Sequence, residues 1–189
     1  MENFGFHTVD VVSCPTCNHE FKQIFETHIN MIVSPSHESV NQGFQNVFAR
    51  NLEVFPSNRV RCPCESHLTD KINIYRQTFL VHNPKYLVIH LVRFDETYDQ
   101  HGRRRVVKNH DNVYVDHMLS LAPFTRSIHP QNTDYELYGI VHHSGSLGSG
   151  HYVSEVKSGD GKWYLCNDSS ITQIKQPREW STSAYVLFY

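Results

Sequence analysis

The sequence has neither a long hydrophobic run nor an excess of charge of one sign. Its most apolar stretch, residues 86–94, contains His90 and Arg93 and is far shorter than the roughly 20 residues that a membrane-spanning helix needs. Lys and Arg number 17 against 19 Asp and Glu, giving a formal net charge of −2. This balance argues against a strongly basic nucleic-acid binder and an acidic tail protein. The N-terminus lacks a basic region followed by an apolar stretch, so we expect no signal peptide.

Cysteine is scarce and odd in number, whereas histidine is abundant. Four of the five cysteines fall in two tight pairs, Cys14 with Cys17 and Cys62 with Cys64. Such pairs are typical of metal ligation in a reducing compartment rather than of a disulfide framework, so we expect a cytoplasmic or nuclear protein. Protonation of all 14 histidines would change the net charge from −2 to +12, which makes the surface sensitive to pH below about 6.5.

The remaining composition is that of a globular domain dominated by strands. With 189 residues, 39% of them hydrophobic and 19% charged, the chain is long enough for one domain with a buried core. Apolar and β-branched patterns predict strands at 21–33, around 72–74, and at 86–94, 135–143, 151–157, 162–166 and 184–189. Because short loops join several of them, we expect an α+β fold with a mainly antiparallel sheet.

Local signals predict two helices and one tight hairpin. Ser39 and Gln42 form a capping-box pattern ahead of apolar residues at helical spacing, which predicts an amphipathic helix over 40–51. Asp116–Leu121 is a candidate for a short second helix. Ser158–Gly161 contains Asp-Gly and predicts a hairpin loop between two strands.

The cysteine pairs predict one structural zinc site. Cys14-Pro-Thr-Cys17 has the spacing at which two thiolates reach one zinc ion. The second half, Cys62-Pro-Cys64-Glu-Ser-His67, is irregular, since only Cys64 and His67 have two residues between them. The spacing favours Cys14, Cys17, Cys64 and His67 as ligands, with Cys62 as the competitor. A decayed site with free thiols is the alternative, and a redox motif is disfavoured because no βαβ context surrounds it.

A glycine-rich loop leads into a histidine at the start of a predicted strand. The loop is Gly145–Gly150 and the histidine is His151, and a hairpin then returns with Asn167 and Asp168. A histidine oriented by an amide or carboxylate is two-thirds of a nucleophilic triad. From the spacing alone, a strand histidine bonded to a neighbour remains the more ordinary interpretation.

The literal residues of this region resemble the ubiquitin-specific protease family of cysteine deubiquitinases. The resemblance rests on Tyr135-Glu-Leu-Tyr-Gly-Ile-Val-His-His-Ser-Gly145, Gly150-His151-Tyr152, Trp163-Tyr-Leu-Cys-Asn-Asp-Ser-Ser170 and the closing Ser183–Tyr189. Upstream, Asn83–Phe94 is similar to the family's strand that ends in Lys-Arg-Phe, with Val92 in place of the usual Lys. The resemblance therefore covers nearly the whole chain.

The resemblance implies a palm and fingers. Residues of about 9–80 correspond to the family's zinc-ribbon fingers, and about 81–189 to the palm with its histidine box. The implied fold is that of a papain-like cysteine protease without its helical thumb lobe. Counting back from Pro84 also favours His67 over Cys64 as the last zinc ligand.

The resemblance also implies roles for individual residues. His151 matches the general base, Asn167 the third triad position that orients it, and Asp168 the adjacent carboxylate, which could share that role or help to position the oxyanion. Gly145–Gly150 matches a mobile loop over the tail of ubiquitin. The implied partners are ubiquitin and ubiquitinated proteins, together with a separate segment that carries the nucleophile.

The sequence departs from the family at the nucleophile. The Gly-Asn-Thr-Cys box of the family is not present. Cys166 directly precedes Asn167, and adjacent strand residues point to opposite faces, so it cannot serve His151. We therefore expect no hydrolysis by this chain alone, and a non-catalytic ubiquitin-binding or scaffold protein is the alternative. A zinc-ribbon nucleic-acid adaptor is disfavoured by the negative net charge.

Overall fold

The chain folds almost entirely into strands. The structure, a computed structural model, describes residues 3–56, 62–64, 71–127, 129 and 132–189. The strands are β1 (Phe6–Ser13), β2 (Glu20–His28), β3 (Met31–Val33), β4 (Asn51–Pro56), β5 (Lys71–His82), β6 (Val88–Leu91), β7 (Phe94–Tyr98), β8 (Arg104–Lys108), β9 (Val113–Tyr114), β10 (Met118–Ser120), β11 (Asp134–Glu136), β12 (Gly139–Gly145), β13 (Gly150–Lys157), β14 (Trp163–Asn167), β15 (Ser170–Ile174), β16 (Trp180–Ser181) and β17 (Ala184–Phe188). The α-helix α1 spans Val40–Val47, and a 3₁₀ turn spans Ala122–Phe124.

A seven-stranded sheet is the larger of the two main sheets. Its strand order is β15-β14-β13-β12-β17-β6-β3, and every pairing is antiparallel except that of β3 with β6. The expectation of a mainly antiparallel α+β fold is therefore confirmed. The apolar stretch at 86–94 gives β6, whose Ile89 and Leu91 are fully buried. It does not form one continuous strand, because Arg93 interrupts it before β7.

A second sheet has four antiparallel strands in the order β2-β1-β5-β4. Both cysteine pairs lie at one end of this sheet. Cys14 and Cys17 fall in the turn between β1 and β2, while Cys62 and Cys64 fall between β4 and β5. The pairing of β1 with β5 thus brings together two turns that are about 45 residues apart in the sequence.

The helix packs against the larger sheet through its apolar face. The side chain of Ser39 accepts a hydrogen bond from the backbone N–H of Gln42 at 3.1 Å, which confirms the predicted cap. Phe44 and Phe48 are buried and stack on Phe124. A Cβ at Gly43 would lie 2.3 Å from a methyl group of Val33, so close packing against β3 requires glycine within this helix.

The expectation of a second helix at Asp116–Leu121 is wrong. Met118–Ser120 forms β10, which pairs with β11 through Leu119 and Tyr135. The burial alternates along β10, with Leu119 inside and its two neighbours outside, and this alternation is that of a strand. Within the described ranges, no helix is long and apolar enough to cross a membrane.

Candidate catalytic and metal-binding sites

A hydrogen-bonded pair, His151 with Asn167, lies where β13 meets β14. His151 Nε2 and Asn167 Oδ1 are 2.6 Å apart. Ser154 pairs with Cys166 across the two strands. His151 lies three residues before Ser154, and Asn167 lies one residue after Cys166. Because side chains alternate between faces along a strand, His151 and Asn167 share the face of the sheet opposite to that of Ser154 and Cys166. The predicted hairpin loop, closed at Gly161 with a φ of 81°, sets this register.

The pairing fixes which nitrogen of His151 is available for chemistry. Because Asn167 Oδ1 only accepts hydrogen bonds, Nε2 of the neutral ring carries the proton and Nδ1 carries the lone pair. No partner for Nδ1 occurs among the described residues, and the ring is exposed. A histidine held by an amide in this way can accept a proton at Nδ1 while Asn167 stabilises the resulting imidazolium.

Asp168 occupies the turn that follows Asn167. Its φ is 50°, a left-handed conformation that aspartate tolerates better than most residues. The contacts found in the described part of the chain join His151 to Asn167 and not to Asp168. The structure thus brings two of the three candidate catalytic side chains into contact.

The glycine loop before His151 is tightly closed. Gly145 has a φ of 116° and pairs with Gly150, and Ser146 N–H donates to the carbonyl oxygen of Ser149 at 2.8 Å. A Cβ at Gly150 would lie 2.2 Å from Nε2 of His143. Glycine at position 150 therefore allows the backbone that enters His151 to approach the His143 ring.

Lys108 and His143 form a pair that the sequence does not reveal. Lys108 Nζ lies 3.0 Å from Nδ1 of His143 and donates to its carbonyl oxygen at 2.7 Å. Burial, followed by the charge of Lys108, lowers the pKa of His143. Burial, followed by the charge of Arg93, likewise lowers the pKa of Lys108. The pairing of His143 with Tyr152, and of Ser144 with His151, places the His143 side chain on the face opposite that of His151, and only the tertiary structure shows its partner.

The cysteine cluster is the one group in the described ranges that could hold a metal ion. The sulfur atoms of Cys14, Cys17, Cys62 and Cys64 all lie within 4.8 Å of one another. The Sγ–Sγ distances are 3.6 Å from Cys14 to Cys64, 3.2 Å from Cys17 to Cys62 and 3.0 Å from Cys62 to Cys64. Partial burial, followed by hydrogen bonding with Cys64, raises the pKa of Cys62 to about 12.

The local backbone also supports this cluster. The N–H of Thr16 donates to Cys14 Sγ at 3.4 Å, and Asn18 closes the turn with a φ of 58°. The cluster contains Cys62, which the sequence spacing gave as the alternative to the favoured ligands. Four sulfur atoms therefore complete a tetrahedral ligand set. His67, the ligand that the spacing favoured, lies outside the described residues.

No cysteine of the cluster lies on the strands that carry His151. The fifth cysteine, Cys166, pairs with Ser154 and Ile171 and projects from the face opposite Asn167. The five sulfur atoms are therefore divided between a metal-type cluster and a strand face directed away from the candidate base.

The chain spans only a small part of the length of the curated relatives described here. "Ubiquitin carboxyl-terminal hydrolase 8" of Arabidopsis thaliana is 36% identical over 141 residues, which are 71% of this chain and 15% of that protein. "Ubiquitin carboxyl-terminal hydrolase 25" of the same plant is 30% identical over 194 aligned residues, covering all of this chain and 27% of that protein. "Ubiquitin carboxyl-terminal hydrolase cyk-3" of Caenorhabditis elegans is 37% identical over 106 residues, 56% of this chain and 9% of that protein.

The fold recurs in a solved structure described as the SAGA Ubp8/Sgf11/Sus1/Sgf73 DUB module bound to ubiquitin aldehyde. The TM-score is 0.79 at 22% identity, and the match covers 100% of this chain and 41% of that chain. The model of the family described as "Ubiquitin carboxyl-terminal hydrolase" matches residues 1–189. The chain therefore belongs to the ubiquitin carboxyl-terminal hydrolase family.

Proposed function

We propose that this chain supplies the general-base half of a cysteine deubiquitinase, which cleaves the bond at the carboxyl end of ubiquitin. The observation that carries the proposal is the 2.6 Å contact of His151 with Asn167, which leaves Nδ1 of His151 available. The nucleophilic thiol would come from a segment outside these 189 residues, because the five cysteines lie in the metal-type cluster or on the opposite face.

The role of each group follows from the tautomer of His151. Nδ1 would accept the proton of the attacking thiol, and Asn167 Oδ1 would hold the imidazolium through its Nε2 proton. The same Nδ1 proton would then pass to the leaving amine when the carbon–nitrogen bond breaks. Asp168, one residue further on, would contribute a negative charge near this imidazolium and so support the same step.

We propose that zinc occupies the cysteine cluster and has a structural role. Tetrahedral zinc with sulfur ligands at about 2.3 Å requires sulfur atoms about 3.8 Å apart. The three Sγ–Sγ distances of 3.0–3.6 Å fall slightly below that separation and would need only small side-chain adjustments. The ion would join the β1–β2 turn to the segment between β4 and β5. A metal-binding cluster of reduced thiols also supports a cytoplasmic or nuclear location.

We propose that the two sheets divide the functions. The four-stranded sheet with the cysteine cluster corresponds to the fingers, predicted at about residues 9–80, and the sheet that carries His151 corresponds to the palm, predicted at about 81–189. The larger sheet also includes β3 (Met31–Val33), so the palm would take in this strand from the range predicted for the fingers. Ubiquitin would be held by both, with its tail approaching His151. The ubiquitin aldehyde named in the description of the similar DUB module supports this choice of partner.

Reconstitution with a cysteine-bearing lobe tests the proposed activity. The chain alone should not hydrolyse a fluorogenic ubiquitin substrate, whereas the chain joined to the nucleophile-bearing lobe of a family member should hydrolyse it. His129→Ala, an exposed change outside the site, is the matched control and should retain full activity. Hydrolysis by the chain alone, or none after joining a lobe that folds onto it, would contradict the proposal.

A non-catalytic ubiquitin-binding protein is the second candidate. One observation favours it. Cys166 and Asn167 project from opposite faces of β14, so Cys166 cannot act as the nucleophile for His151. The two candidates differ in the reconstitution assay, since a pure binding protein would retain ubiquitin without gaining turnover when the lobe is added.

A further inference from the structure

A cluster of five side chains lies behind the strand segment that carries His151. We call it the His143 cluster, and its members are Phe94, Lys108, His143, Tyr152 and Tyr185. The His143 ring centroid lies 4.7 Å from that of Tyr152, 5.6 Å from that of Tyr185 and 5.7 Å from that of Phe94. Lys108 Nζ lies 5.7 Å from the Phe94 ring centroid. The imidazole is therefore enclosed by three rings and one ammonium group.

Lys108 determines the tautomer of His143. Its ammonium group donates to Nδ1 of His143, 3.0 Å away, and an ammonium group can donate but never accept. Nδ1 is therefore the acceptor, and the ring proton resides on Nε2. A second bond, from Nζ to the His143 carbonyl oxygen at 2.7 Å, fixes the backbone of β12 at the same point. One lysine thus holds both the ring and the main chain of this residue.

The held ring lies against the backbone on either side of His151. On the N-terminal side, Nε2 of His143 is so close to Gly150 that a Cβ there would lie 2.2 Å away. On the C-terminal side, Tyr152 pairs with His143 across the strands and packs on its ring. The side chain of His151 points to the other face of the sheet, towards Asn167. The His143 ring consequently limits the movement of both neighbours of His151 without touching its imidazole.

We infer that Lys108 and His143 are positioning residues, which hold the Gly150–Tyr152 backbone so that His151 keeps its Nε2 bonded to Asn167. This inference rests on the proposed function, since positioning has catalytic value only if His151 is the base. Neither residue touches the reacting atoms in this account. Their effect is transmitted through the backbone of β13.

Nitrogen NMR of the histidine side chains tests the inference on the chain as it exists. In the wild-type protein, the neutral form of both His143 and His151 should carry its ring proton on Nε2. In Lys108→Met, His143 should lose this single tautomer, and His151 should become a mixture of tautomers. Amide exchange along Gly150–Tyr152 should become at least about tenfold faster, because the variant loses both hydrogen bonds from Lys108 to His143 and one such bond already accounts for that factor.

Lys157→Met is the matched control for this experiment. Lys157 lies on the same strand as His151 but pairs with Glu136 at the far end of β13. It should leave the His151 tautomer unchanged, and both variants should remain folded at the temperature of the NMR measurement. An unchanged His151 spectrum in a folded Lys108→Met protein would overturn the inference. A ring proton on Nδ1 of His143 in the wild-type protein would also overturn it, and this measurement needs no variant.

The joined enzyme separates this inference from the proposed function. There, Lys108→Met should lower kcat about tenfold with little change in KM, since the base and not substrate binding is affected. An active joined enzyme whose kcat is indifferent to Lys108→Met would overturn the positioning role alone. An inactive joined enzyme in which the NMR changes still appear would instead contradict the proposed function.

Discussion

Nε of Arg93 donates a hydrogen bond of 2.6 Å to the carbonyl oxygen of Ala184, 91 residues away in the sequence. The same guanidinium group donates to the carbonyl oxygens of Asn109, Asp111 and Ser181 at 3.0–3.2 Å. Its side chain is completely buried, and burial lowers its pKa. One cation thus joins the end of β6, the loop after β8 and the start of β17, the strand beside β12.

Replacement of Arg93 by Met should therefore destabilise the whole larger sheet. Four carbonyl groups, two of them in fully buried hydrogen bonds, would lose a charged donor, which should cost about 3 kcal/mol or more in the free energy of unfolding. Urea denaturation measures this change. The exposed Arg105→Met is the control and should cost less than about 1 kcal/mol, because surface ion pairs contribute little. Equal stability of the two variants would contradict the role given to Arg93.

Acidification should weaken the folded state through His90. Burial lowers the pKa of His90 in the folded chain, whereas the unfolded chain protonates near its ordinary pKa of about 6.5. Below about pH 6.5 the unfolded state therefore binds more protons than the folded state. The stability linked to burial of neutral His90 is fully present above about pH 6.5 and is lost as the pH falls through the lower pKa of the folded chain. His90→Gln should lose less stability than the wild type between about pH 7.5 and 5.5 in urea titrations.

His101→Gln, a change in an exposed turn, is the control for this titration. It should leave the pH dependence of the wild-type protein unaltered. A His90→Gln protein with the full wild-type slope would show that protonation of His90 does not drive the loss.

Purified without chelator, the protein should contain about one zinc ion per chain. Cys14→Ser should abolish zinc binding, and Cys166→Ser should retain it because Cys166 lies away from the cluster. The four-sulfur geometry also predicts that Cys62→Ala weakens binding more than His67→Ala does. Elemental analysis and competition with a chromogenic chelator measure these differences. A larger effect of His67→Ala would show that His67, as the sequence spacing predicts, is a ligand in place of Cys62.

In the joined enzyme, Asn167→Ala should reduce activity more than Asp168→Ala. Asn167 holds the Nε2 proton of His151 directly, so its loss frees the ring to rotate and to change tautomer, at a cost of about 10- to 100-fold in kcat. Asp168→Ala should cost less than about tenfold. A greater loss from Asp168→Ala would assign the orienting role to the carboxylate.

The local features of the fold were predictable from the sequence. The cap at Ser39 and the hairpin closed at Gly161 depend on residues within a few positions of each other, and the structure contains both. The proximity of His151 and Asn167 follows from the same hairpin. The pairing of the two cysteine turns also agrees with the expectation, since thiol spacing alone suggested a shared metal ion.

The features that the sequence did not reveal depend on distant contacts. The segment 116–121 contains too few residues for periodicity to separate a helix from a strand, and only pairing with β11 makes it a strand. Arg93 was expected within a continuous strand, yet its bonds to carbonyl groups at 109, 111, 181 and 184 end β6 there. The partner of His143 is likewise 35 residues away.

The most direct test of the central claim is the rate of ubiquitin hydrolysis by the joined enzyme with and without His151. If His151 is the general base, His151→Ala should lower kcat by at least about 10²- to 10⁴-fold, while the lobe's cysteine remains present. His129→Ala, measured beside it, should turn over at the wild-type rate. Retention of near wild-type kcat in His151→Ala would contradict the account.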